Sequence, residues 1–135
     1  MVEIVDAKIE KRDNKNLYVK VTTNENLELF KDSSYAYIPF LIYSIGDIEK
    51  DHDNDIFNIF PFMAKCITLN SNKNSNDNYE SLWEIPIRDY TKTSRRKYSY
   101  DIECKKIKKI TIMVYGATMS WGWLKSNSFV LNLNK

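Results

Sequence analysis

The stretch Ile107-Lys108-Lys109-Ile110-Thr111-Ile112-Met113-Val114-Tyr115-Gly116-Ala117 decides the fold. Successive side chains of an extended chain point to opposite faces. Ile110, Ile112 and Val114 therefore share one face, and Thr111, Met113 and Tyr115 share the other. Apolar character on both sides predicts a strand buried on both faces, at the centre of a sheet.

The same period of two recurs on either side of this stretch. Residues 128–133 place Phe129, Leu131 and Leu133 inward. Residues 98–104 alternate Tyr98, Tyr100, Ile102 and Cys104 against Ser99, Asp101 and Glu103. Near the start, residues 2–10 set Val5, Ala7 and Ile9 against Asp6, Lys8 and Glu10. Residues 17–23 set Leu17, Val19 and Val21 against Tyr18, Lys20 and Thr22. The turn-forming run Asp13-Asn14-Lys15-Asn16 between them predicts an N-terminal hairpin.

Residues 27–30 read as a short edge strand. The apolar segments 35–45, 56–69 and 82–90 contain Pro39, Pro61 and Pro86. Proline lacks a ladder donor, so each should mark an edge, a bulge or a break. Residues 70–81 are a polar, Asn-rich loop with little to bury.

With only four alanines against nine tyrosines and six phenylalanines, helix propensity is low and strand propensity high. At most one short helix is expected, within 44–54 or 91–97. Roughly eight or nine short strands predict an all-β fold, a single-domain antiparallel β-sandwich of Ig-like or jelly-roll-like kind spanning residues 1–135. A chain of 135 residues can bury about two thirds of its unfolded surface. It needs neither a disulfide framework nor a structural metal.

Composition narrows the class. At 43% hydrophobic and 28% charged residues, the chain is that of a folded domain and not a disordered one. No apolar run approaches the roughly 20 residues that span a bilayer. No basic-then-apolar leader and no Asn-x-Ser/Thr site occurs, so a cytoplasmic or virion- or particle-incorporated protein is expected. Cys66 and Cys104 lie in apolar or alternating segments and are expected to be buried thiols.

Catalytic patterns are sparse. His52 is the only histidine, and Gly46, Gly116 and Gly122 are the only glycines. Phosphate-cradling loops and a Gly-x-Ser-x-Gly elbow are absent. No enzymatic activity and no cofactor are expected. The run Asp51-His52-Asp53-Asn54-Asp55 resembles the opening of a calcium loop, with Asp51, Asp53 and Asp55 as candidate metal ligands. That pattern breaks at its sixth position, Ile56, and at its twelfth, Phe62, where glycine and a bidentate glutamate belong. A solvated acidic loop is the plainer reading.

Two features suit binding. Residues 1–90 hold 16 acids and 10 bases, a charge of −6, and residues 91–135 hold 2 acids and 10 bases, a charge of +8; together they give the net +2. The excess is concentrated in Lys92, Arg95, Arg96, Lys97, Lys105, Lys106, Lys108 and Lys109, with Tyr98 and Tyr100 among them. Such a patch can neutralise neighbouring acidic loops, meet an acidic protein surface, or contact phosphates while the tyrosines stack on bases. Second, Trp121 and Trp123 flank Gly122 in a loop expected between the last two strands, where indoles either cap the core or offer flat contact area to a sugar or a protein.

The leading expectation is a non-enzymatic domain that makes protein–protein contacts, with itself or another chain, in a larger assembly such as a phage or other particle. Carbohydrate or surface binding through Trp121 and Trp123 comes second. Nucleic-acid binding or inhibition through the 92–109 patch comes third.

Overall fold

The computed structural model describes residues 2–13, 16–28, 40–45, 62–86, 108–118 and 122–133. They form nine strands: β1 (Ile4–Arg12), β2 (Asn16–Thr23), β3 (Phe40–Ile45), β4 (Phe62–Met63), β5 (Lys65–Leu69), β6 (Tyr79–Pro86), β7 (Lys109–Thr118), β8 (Gly122–Lys125) and β9 (Phe129–Asn132). Essentially no helix occurs among these residues. Two antiparallel sheets pack as a β-sandwich. The first has the order β1-β2-β6-β5. The second has the order β4-β3-β7-β8, with β9 also paired to β7.

The alternating segments set the register. Leu17, Val19 and Val21 of β2 are fully buried, and each contributes about 1.5–3 kcal/mol by leaving water. A slip of one residue against β6 would turn all three outward, so the β2–β6 ladder runs unbroken from Asn16↔Pro86 to Thr23↔Tyr79. Trp83 and Ile85 of β6 share this inward face. Across the sandwich lie Leu41 and Tyr43 of β3 with Ile110, Ile112 and Val114 of β7. The Tyr43 hydroxyl spans the layers, donating to the Pro86 carbonyl oxygen at 2.9 Å. Its ring stacks on Phe62 with centroids 5.3 Å apart.

β7 is the central strand that its alternation predicts, buried on both faces. Ile42, Met113 and Tyr115 form a second apolar cluster on the outward side of its sheet, with Phe40 packed against it. Burial pushes the Tyr115 phenol above its ordinary value of 10.0, against a smaller opposing influence of Lys125. Above that pH the unfolded chain loses this proton before the folded chain does. Stability from Tyr115 is thus intact below pH 10.0 and lost as pH rises through the folded value. Thermal melts between pH 9 and 11 should show a descending limb that is shallower in Tyr115→Phe; an unchanged slope would refute this assignment.

Both open sides of the sandwich are joined. On one side the chain changes sheets within residues 62–69. β4 pairs with β3, the Ala64 amide donates to the Leu41 carbonyl at 2.8 Å, and β5 then pairs with β6. On the other side β1 meets the β8–β9 strand. Between the pairs Tyr115↔Lys125 and Ile112↔Phe129, β7 has two residues and its partner has three, Ser126, Asn127 and Ser128. That extra residue makes a bulge. Within it the Val114 amide donates to Ser126 Oγ at 2.8 Å, while the Ser126 amide donates to the Val114 carbonyl at 2.9 Å. Asn127 turns towards the other sheet. Its Oδ1 accepts from the Ile4 amide at 2.7 Å and its Nδ2 donates to the Ile4 carbonyl at 3.1 Å. One side-chain amide thus imitates a strand partner. Arg12 Nη1 adds a bond to the Leu133 carbonyl at 3.0 Å.

Several expectations need correction. Val5 does not face inward: Ile4 pairs with Thr23 and Asp6 with Thr22, so Val5 is the extra residue of a bulge and is exposed, while Ile4 is buried. Cys66 is exposed and outside any disulfide, because the outermost strand β5 has only its last residue half-covered. Pro86 is the last described residue of β6, paired with Asn16, and residues 87–90 of the segment expected at 82–90 lie outside the described residues. Within residues 62–69 the chain breaks at Ala64, and Leu27, expected to open an edge strand, is a buried turn residue that follows β2 by four positions. Pro39, Pro61, Cys104, the strand expected at 98–104, and the helix positions 46–54 and 91–97 lie outside the described residues.

Residues 70–78 join β5 to β6 and are folded on themselves; the loop expected over 70–81 is shorter, because residues 79–81 already belong to β6. Asn74 Oδ1 accepts from the amides of Asn76 and Asn78, both at 3.0 Å, and Asn70 Oδ1 accepts from Asn72. Asp77 takes a left-handed conformation, φ 66°, which Asn and Asp tolerate better than most residues.

Candidate binding surfaces

Most residues singled out from the sequence lie outside the described set. These are Asp51, His52, Asp53, Asp55, Lys92, Arg95, Arg96, Lys97, Tyr98, Tyr100, Lys105, Lys106 and Trp121. Lys108 and Lys109 are described and exposed at the start of β7, where the Lys108 carbonyl accepts from the Leu133 amide at 2.9 Å. Trp123 is not in a loop. It belongs to β8, opposite Ala117, because the chain folds back on β7 from Gly122 onward. Among the described residues no three His, Cys, Asp or Glu side chains group to hold a metal ion. None of the helices there is long and apolar enough to cross a membrane.

The structure instead brings together side chains from all four strands of the first sheet, on its outward face. They line an open trough of about 490 Å³. Its shape follows from the edges. β1 carries a bulge between Ile9 and Lys11, and β5 carries one between Cys66 and Thr68. Bulges bend a strand and increase its local twist, and both outer strands of this sheet carry one. The β1 bulge has a second effect. Ile9 pairs with Val19 and Lys11 with Tyr18, so Glu10 is the extra residue, and consecutive side chains Glu10 and Lys11 both border the trough.

On the floor, Lys20 Nζ lies 3.2 Å from Glu10 Oε1 and 3.4 Å from Glu80 Oε2. The hydrogen bond that Lys20 donates to Glu10, then the charges of Glu80 and Glu10, hold the Lys20 ammonium above its usual 10.5. These groups are open to water, so the network orders the surface more than it stabilises the fold. Beside it stands Tyr18, with Lys11 Nζ 5.8 Å from its ring centroid. Shielding in the sheet face, followed by the carboxylates of Glu84 and Asp13, raises the Tyr18 phenol. Leu82 supplies an apolar patch, and Thr68 and Asn70 supply a hydroxyl and an amide.

A second surface runs along the β4–β5 border, where Met63 and Ile67 are 52% and 43% exposed with Cys66 between them in sequence. Neither surface stands out in the sequence. Tyr18, Lys20 and Glu80 read as ordinary outward positions, and only the bulge at Glu10 turns them into a bordered trough.

The chain matches no family model, no curated protein and no solved structure.

Proposed function

We propose that this chain is a non-enzymatic β-sandwich that makes protein–protein contacts between copies in a larger assembly, with the β4–β5 border as the contact. The observation that carries the reading is the exposure of Met63 and Ile67 on the outermost described strands of both sheets. Large apolar side chains exposed at sheet margins favour association, because covering them removes apolar area from water. Lys65 and the bulge at Ile67 lie on the same strand and discourage open-ended strand addition. The contact is therefore one of side-chain packing.

Native mass spectrometry and light scattering test this. Species larger than the 16.0 kDa monomer should appear with rising concentration. The double variant Met63→Lys, Ile67→Lys should shift them to monomer with an unchanged circular dichroism spectrum. A wild-type chain that stays strictly monomeric at millimolar concentration overturns the proposal.

A further inference from the structure

We propose that the trough on the outward face of the first sheet is a binding site for an uncharged carbohydrate. This goes beyond the assembly reading and uses different residues.

Charge excludes the alternatives first. The trough is lined by two carboxylates, Glu10 and Glu80, and two ammonium groups, Lys11 and Lys20, which sum to zero. Lys20 is already engaged by both carboxylates, and Lys11 lies by the Tyr18 ring. With Lys20 occupied by the two acids, the one remaining ammonium, Lys11, gives a phosphate chain little to hold beside two carboxylates. An extended peptide is also poorly served. It binds a sheet through unpaired backbone groups at an edge. The floor comes from β2 and β6, whose backbones are committed to each other and to their outer neighbours.

What remains is recognition by side chains, and these suit a sugar. A pyranose ring has a C–H face that packs on an aromatic ring, and a rim of hydroxyls that both donate and accept. Tyr18 provides the flat ring and Leu82 extends the apolar floor. Glu10 and Glu80 are acceptors held in place through Lys20, and each keeps lone pairs beyond that contact. Thr68 and Asn70 at the far margin can donate or accept. The volume falls in the range of small-ligand sites and is open enough for a chain of sugars to run across the strands.

The test is a ¹⁵N-correlation NMR titration of the full chain with soluble oligosaccharides of glucose, galactose, mannose, xylose and N-acetylglucosamine. At least one should shift the amides of Tyr18, Lys20, Thr68 and Leu82, saturating with concentration. Tyr18→Ala should weaken that binding at least tenfold with an unchanged thermal melt, and Glu80→Gln should weaken it less. Silence across the panel overturns the proposal. So do shifts centred elsewhere, for example at Trp123, that survive Tyr18→Ala. The Met63→Lys, Ile67→Lys variant should keep the titration, so failure of the assembly reading and failure of this one are separable.

Discussion

Trp83→Ala is expected to lower the unfolding free energy by about 3–5 kcal/mol, as removal of a buried aromatic generally does. Small domains of this size hold roughly 5–15 kcal/mol in total, so the change removes about a fifth or more of the margin. Trp83 is 1% exposed in the middle of β6, and its loss would leave a void facing the other sheet. It also anchors a polar chain inside the core. The indole Nε1 donates to Ser81 Oγ at 2.7 Å, and Ser81 Oγ in turn donates to the Val21 carbonyl at 3.3 Å. Trp83→Phe should cost less than the alanine change, because it restores most of the apolar volume. Urea unfolding followed by circular dichroism would measure both. A loss below about 1 kcal/mol for the alanine variant would show that the site collapses without penalty.

Asn127→Ala should cost about 2–3 kcal/mol, although the side chain belongs to a residue at the surface. The effect comes from what is left behind. The Ile4 amide and carbonyl both bond to this one amide group, and Ile4 itself is 2% exposed. Asn127→Asp is the sharper comparison. Its carboxylate can still accept from the Ile4 amide but faces the Ile4 carbonyl with no donor, so it should remain well below wild type at neutral pH. Equal stability of Asn127→Asp and wild type would show that the Nδ2 bond is dispensable.

The strands were legible in the sequence wherever one face is apolar and the other polar. Leu17, Val19 and Val21 in β2 and the two-sided run of β7 could be read directly, since burial there follows simple alternation. Alternation failed where the backbone inserts a residue. The bulges at Val5 and Glu10 leave no compositional mark in β1: no glycine and no proline flags either one. A strict period of two therefore placed Val5 inside, and it kept Glu10 and Lys11 on opposite faces when both border the trough. Cys66 misled for a related reason. It lies opposite Trp83 on the inward side, but β5 is outermost and too little covers it. The trough itself was illegible because its four strands come from two hairpins, β1–β2 and β5–β6, that lie 42 positions apart between Thr23 and Lys65. Side-chain identity gives no hint of such proximity before the strand order is known.

The clasp between Asn127 and Ile4 has a consequence for the order of folding events. It links residues 123 positions apart, nearly the ends of the chain. Closing so long a loop costs more entropy than forming either hairpin, so the contact gains little until both sheets are in place. We expect it to be absent from the rate-limiting step. Asn127→Ala should then accelerate unfolding by nearly its whole energetic effect and leave the refolding rate within about twofold of wild type. Stopped-flow chevrons would resolve the two arms. A refolding arm slowed in proportion to the lost stability would instead place the meeting of the two ends at the start of folding.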